Sequence, residues 1–176
     1  MPRHPSVGDN ADRGPADSAN ASTTRDARRR QRAADLRWTW RTDEESNGGA
    51  GEPRDAFIER FTAFANGALA GRWRVRVAED RDSILGCIWI YRMPKVPSPG
   101  TKTHDFGYMT NVYTLPQMRN RGIGAELLAA VTAWAHESDL EMIAVWPSER
   151  SVPWYTRGGF SPSLEMLELE VDGYES

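Results

Sequence analysis

From residue 36 onward the chain switches between two hydrophobic rhythms, and the switches mark out its elements. Over residues 55–70, Phe57, Phe61 and Phe64 recur at helical spacing with Ile58 and Leu69 beside them, which predicts an amphipathic helix ended by Gly71. Trp73, Val75 and Val77 then alternate with Arg72, Arg74 and Arg76, the period of a strand whose arginine face meets water. A polar turn at residues 80–83 leads into an apolar run at 84–91, so the two runs predict a hairpin. Pro94, Pro97, Pro99 and Gly100 mark an exposed loop before a third strand over 106–114. A helix begins near Gly122, with Ile123, Leu127, Val131 and Trp134 on one stripe. Residues 140–146 read as a buried strand and 152–157 as a short helix, and Leu167, Leu169 and Val171 alternate with glutamates in a last strand. This order predicts an α/β or α+β fold, a sheet with helices on its faces, and excludes a bundle or a sandwich.

Composition divides the 176 residues unevenly. In residues 1–35 the only apolar side chains larger than alanine are Met1 and Val7, so this stretch is expected to be a disordered tail. Residues 36–176 hold all seven Trp and all five Phe, enough for one domain with one core. Seven Arg and five Asp lie in the tail, which leaves the body with 15 basic and 20 acidic residues, about -5. An acidic body argues against a dedicated nucleic-acid binder, whose affinity comes from neutralising phosphates. Cys87 stands alone, which excludes an internal disulfide and a multi-cysteine metal site, and no metal is expected. No apolar stretch of signal-peptide length follows Arg28, Arg29 and Arg30, and no run reaches a membrane span, so the expectation is a cytoplasmic protein with no membrane partner.

The chemistry concentrates in Asn111-Val112-Tyr113-Thr114-Leu115-Pro116-Gln117-Met118-Arg119-Asn120-Arg121-Gly122-Ile123-Gly124, a strand that passes through a proline turn into a helix. The first turn of a helix presents unpaired N–H groups and the positive end of its dipole. Gly122 and Gly124 let a diphosphate approach those amides, and Arg119 and Arg121 add positive charge. A dinucleotide fingerprint needs another glycine after Gly124, where Ala125-Glu126-Leu127 follows, and a P-loop needs a lysine, of which none occurs after Lys102. The turn resembles the acetyl-CoA signature of the GCN5-related N-acetyltransferases (GNAT): Arg or Gln, two residues, Gly, one residue, then Gly or Ala, matched by Arg119, Gly122 and Gly124. Downstream, the segment from Pro147-Ser148 to Tyr155 and Gly159-Phe160 resembles the family's late segment, in which a small helix bearing a Tyr ends at Gly-Phe. Read alone, Tyr155 is a packed aromatic and the glycines a helix stop; the two motifs in this order carry the resemblance.

The resemblance covers roughly residues 38–171 and implies a mixed, mostly antiparallel sheet whose strands 106–114 and 140–146 splay at the acetyl-CoA site. It implies acetyl-CoA as co-substrate, with Val112, Tyr113 and Thr114 along the pantetheine arm, residues Arg119, Asn120, Arg121, Gly122, Ile123 and Gly124 around the pyrophosphate, and Ser148 also in the binding set. The reaction implied is direct acetyl transfer to the primary amine of a small molecule or peptide, with a homodimer as a common assembly. Tyr155 is then the candidate proton donor to the departing thiolate. A strand carboxylate, which family members often use as general base, is missing from residues 106–118, so Asp105, Glu79 or a water held by Thr110 and Asn111 stay open for that role. The missing carboxylate also keeps in view an inactive CoA-binding regulatory module, and Arg25 to Arg32 a protein acting through a basic arm. The acidic body slightly favours a cationic acceptor, with residues 93–105 and 55–70 as its walls.

Overall fold

The computed structural model describes residues 6–9, 19–43, 51–81, 83–100, 102, 104–163, 167 and 169. It divides into two compact units, Met1–Trp146 and Pro147–Ser176. The first unit holds strand β1 (Ser6–Asp9), helices α1 (Ala19–Asp43) and α2 (Arg54–Ala70), and strands β2 (Trp73–Asp80), β3 (Ser83–Met93) and β4 (Phe106–Thr114). Helix α3 (Ile123–Glu137) and strand β5 (Ile143–Val145) complete it. The five strands lie in the order β1-β2-β3-β4-β5, antiparallel except for the final parallel pair. This is the mixed, mostly antiparallel sheet expected, and α2, the β2–β3 hairpin, β4 and α3 fall where the periodicity places them.

Alternation along the strands sorts the core into two layers. Val75, Val77, Cys87 and Trp89 join one buried cluster with Ala33 and Leu36 of α1 and Ala65 and Ala68 of α2. Residues of the other parity, Ile88, Ile90 and Met109, are fully buried, as are Leu127 and Val131 of α3, which packs on β2, β3 and β4. Each such aliphatic side chain contributes about 1.5–3 kcal/mol on leaving water. At Gly86 an added Cβ would lie 2.9 Å from the Tyr113 carbonyl oxygen, so only glycine allows β3 and β4 to approach here with α3 packed above.

The structure corrects five expectations. Helix α1 takes up residues 19–35 of the tail expected to be disordered, and Ala33 and Ala34 there are buried, with Leu36 just beyond: small side chains fit a close helix–sheet approach where bulk was sought; residues 1–5 and 10–18 lie outside the described residues. Within the supposed basic arm, Arg29 donates to Glu79 of β2 at 3.1 Å. The arginine face of β2 is not wholly wet, since Arg76 is buried and β1 runs alongside with Asp9 opposite it in register. Strand β5 spans three residues only, with Met142 and Trp146 exposed at its ends. In the second unit, α4 (Val152–Arg157) forms as expected; Leu167 and Leu169 are exposed and lie in no strand, and Val171 lies outside the described residues.

Candidate functional site

Strand β4 changes character halfway along. Its pairing with β5 covers Gly107, Tyr108 and Met109 and stops at Met109↔Val145, so among the described residues no strand pairs with residues 110–114 on that side. On the β3 side the register jumps from Trp89↔Thr110 to Cys87↔Tyr113, so Ile88 faces both Asn111 and Val112 in a bulge. Asn111 takes a φ of 50°, a left-handed conformation that asparagine tolerates better than most residues. Its Oδ1 accepts a hydrogen bond from Arg37 at 2.9 Å, and its carbonyl accepts one from the Cys87 thiol at 3.5 Å. Burial pushes the Cys87 thiol up to about 12, although the Arg37 charge pulls it down, so this sulfur stays protonated and inert.

Beyond Thr114 the chain turns through a 3₁₀ helix (Pro116–Met118) into α3. Arg119 donates from Nε to the Thr114 carbonyl at 3.1 Å and lies over the Tyr113 ring at 5.7 Å, so it braces the turn rather than projecting as a mobile charge. Gly122 caps α3 with a φ of 86° and no side-chain cap bond. A Cβ there would meet nothing nearer than Glu126 Oε1 at 3.9 Å, so this glycine serves backbone conformation and the approach stays open. The N–H groups of Ile123, Gly124 and Ala125 therefore lie in an uncapped first turn, beside exposed Asn120 and Arg121. Val112, Tyr113, Thr114 and the whole 119–124 turn are thus consecutive on one path, and this arrangement fits a diphosphate followed by an extended amide-bearing arm.

A family model described as the Acetyltransferase (GNAT) family matches residues 31–160. The chain belongs to this family. Among solved structures, a predicted acetyltransferase from Clostridium acetobutylicum with acetyl-CoA is 26% identical, with a TM-score of 0.58 over 94% of this chain and 95% of that one. A GCN5-related N-acetyltransferase from Ralstonia eutropha JMP134 is 23% identical, with a TM-score of 0.59 over 94% and 97%. An aminoglycoside N-acetyltransferase in complex with CoA is 16% identical, with a TM-score of 0.63 over 98% and 99%, a likeness of fold alone. A search of curated proteins finds no match. No helix among the described residues is long and apolar enough to cross a membrane.

In this GNAT chain the remaining expected residues, Ser148 and Tyr155, belong to the second unit. Ser148 exchanges hydrogen bonds with Ser151 across the turn before α4. Tyr155 is 7% exposed, set edge-on to Trp154 at 4.7 Å and Phe160 at 5.5 Å, and burial pushes its phenol up to about 12. Two of the open base candidates are held in ion pairs: Asp105 by Arg92 at 2.6 Å and Arg72 at 3.7 Å, and Glu79 by Arg29. Neither lines the cavity of about 490 Å³ that lies against the β4 bulge, whereas Thr110 and Asn111 do. Helix α2 lines this cavity, the described residues of 93–105 do not, and α1 supplies Arg37, Trp38 and Arg41. The i, i+4 spacing of Arg37 and Arg41 was available in the sequence as a one-sided helical pair, but both lie just past the boundary drawn at residue 35, in a stretch to which no helix was assigned.

Proposed function

We propose that the chain is an acetyl-CoA-dependent N-acetyltransferase that passes the acetyl group directly to a primary amine. One observation carries this reading: β4 loses its β5 partner at Met109 and then runs, through its bulge, into the uncapped start of α3. The family's signature falls on that path, and the relative solved with acetyl-CoA covers nearly the whole chain. Acetyl-CoA supplies the activated acyl group. The amides of Ile123 and Gly124 with Arg121 hold its pyrophosphate, and the backbone of Val112, Tyr113 and Thr114 holds the arm in the manner of an added strand.

An ammonium has no lone pair, so the acceptor must lose a proton before attack. A water on Thr110 and Asn111 takes it in this reading, because the two open carboxylates are engaged with arginines. A backbone N–H at Val112 stabilises the charge that develops on the carbonyl oxygen. The family resemblance gives Tyr155, protonated throughout the physiological range, the role of donor to the leaving sulfur. The competing reading, a module that binds CoA without turnover, is favoured only by the lack of a carboxylate in β4. Calorimetry with acetyl-CoA followed by free-thiol release over a panel of amines separates the two: binding with turnover is expected, and binding without turnover on any amine overturns the catalytic reading.

A further inference from the structure

The geometry points to an aromatic amino carboxylate as the acceptor, a primary amine that bears a carboxylate beside it and a large aromatic side chain. This rests on the N-acetyltransferase reading and adds its substrate class. The cavity of about 490 Å³ falls in the range that encloses small molecules. It reaches Asn111, so a bound amine meets β4 at the bulge where pairing with β5 has already ended.

Two features of its lining choose the occupant. The first is a wall of rings: Phe57, Phe61, Phe64, Trp73 and Trp89, joined through centroid separations of 5.7–6.1 Å between Phe61 and Trp89, Phe64 and Trp89, Phe64 and Trp73, and Trp73 and Trp89, with Phe57 at 5.9 Å from Phe61. Phe64 is 49% exposed although it belongs to this wall, so apolar surface is left for a guest ring. The second is charge. Among the described residues, Arg37, Arg41 and Arg60 line the cavity with one carboxylate, Glu52, and Glu52 accepts a hydrogen bond from Arg60. Arg41 makes no ion pair among the described residues, and it stands one helical turn from Arg37. A guanidinium fork matches a carboxylate, while a polyamine or an aminoglycoside would enter against like charge. This local excess of arginine argues against the slight preference for a cationic acceptor drawn from the acidic body as a whole. Arg37 also bonds Asn111, which sets the positive group one hydrogen bond from the bulge; amine and carboxylate must then sit close together, as on one carbon. The same positive field favours the neutral amine over the ammonium, which eases proton loss where β4 offers no carboxylate.

The test compares L-phenylalanine and L-tryptophan with phenethylamine, tryptamine, spermidine and kanamycin in free-thiol release, using full-length protein whose acetyl-CoA binding is checked by calorimetry. The amino acids are expected to exceed their decarboxylated partners at least about tenfold in kcat/KM. Arg41→Gln should erase most of that ratio through KM, and Arg41→Glu should invert it, with acetyl-CoA affinity unchanged in both. Arg41 is exposed, so neither variant threatens folding. Equal turnover of phenethylamine, a preference for kanamycin or spermidine, or an unchanged ratio in Arg41→Glu would overturn the substrate class and leave the N-acetyltransferase reading standing. Absence of acetyl-CoA binding, or of turnover on every amine, overturns that underlying reading.

Discussion

Cys87 and Tyr155 both keep their protons by burial, and the consequence differs. For Cys87, with pKa raised from 9.0 to about 12, the folded state binds a proton that the unfolded chain gives up earlier. The stability so linked is fully present below pH 9 and is lost as pH rises toward 12. Denaturant titrations from pH 8 to 11 should show a steeper alkaline loss in the native protein than in Cys87→Ala, after allowance for the cavity cost that is the same at every pH. For Tyr155 the retained proton is what an acid catalyst needs. Tyr155→Phe keeps the ring between Trp154 and Phe160, so single-turnover acetyl transfer should fall by ~10² or more with acetyl-CoA affinity within a few fold. A rate near that of the native protein would assign the ring to packing alone. At this scale the sequence is legible where a residue type is demanded by backbone, as at Gly122, and silent where partners are distant: nothing in the order of residues reveals that Arg37 bonds Asn111, because the two are 74 positions apart.

At the scale of elements, α3 and β4 were legible because each is long and periodic, and Gly122 before α3 and Gly124 in its first turn have a physical reason in that open turn. Gly124→Asp should place a carboxylate in that turn and weaken CoA binding at least tenfold by calorimetry, with little loss of thermal stability, since Asp is a favourable residue near a helix start. Loss of stability with unchanged affinity would make the turn structural only. Helix α1 was illegible for the opposite reason. Its buried side includes alanines, which periodicity weighs lightly, and its polar stretch of arginines resembles a solvated tail until Glu79 is brought across by the sheet. The brevity of β5 was hidden too, because the run from Leu140 to Trp146 is apolar apart from Glu141 and stays apolar past Val145, so it does not show where pairing stops.

For the whole molecule, α1 changes what truncation does. Deleting residues 1–35 removes Ala33 and Ala34 from the core and Arg29 from Glu79, so melting should drop by more than about 5 °C. An unchanged melting point would make the start of α1 an appendage. The bulged end of β4 has a consequence for the behaviour of many copies together. Backbone left without a neighbouring strand is a template for any extended chain that meets it, and another copy of the protein is the nearest supply. A co-substrate bound along that edge, as in the proposed function, would work as a plug against polymerisation as well as a reagent. Colloidal lifetime is then tied to metabolic supply: light scattering at 37 °C should climb in dilute buffer and stay flat once CoA saturates the protein.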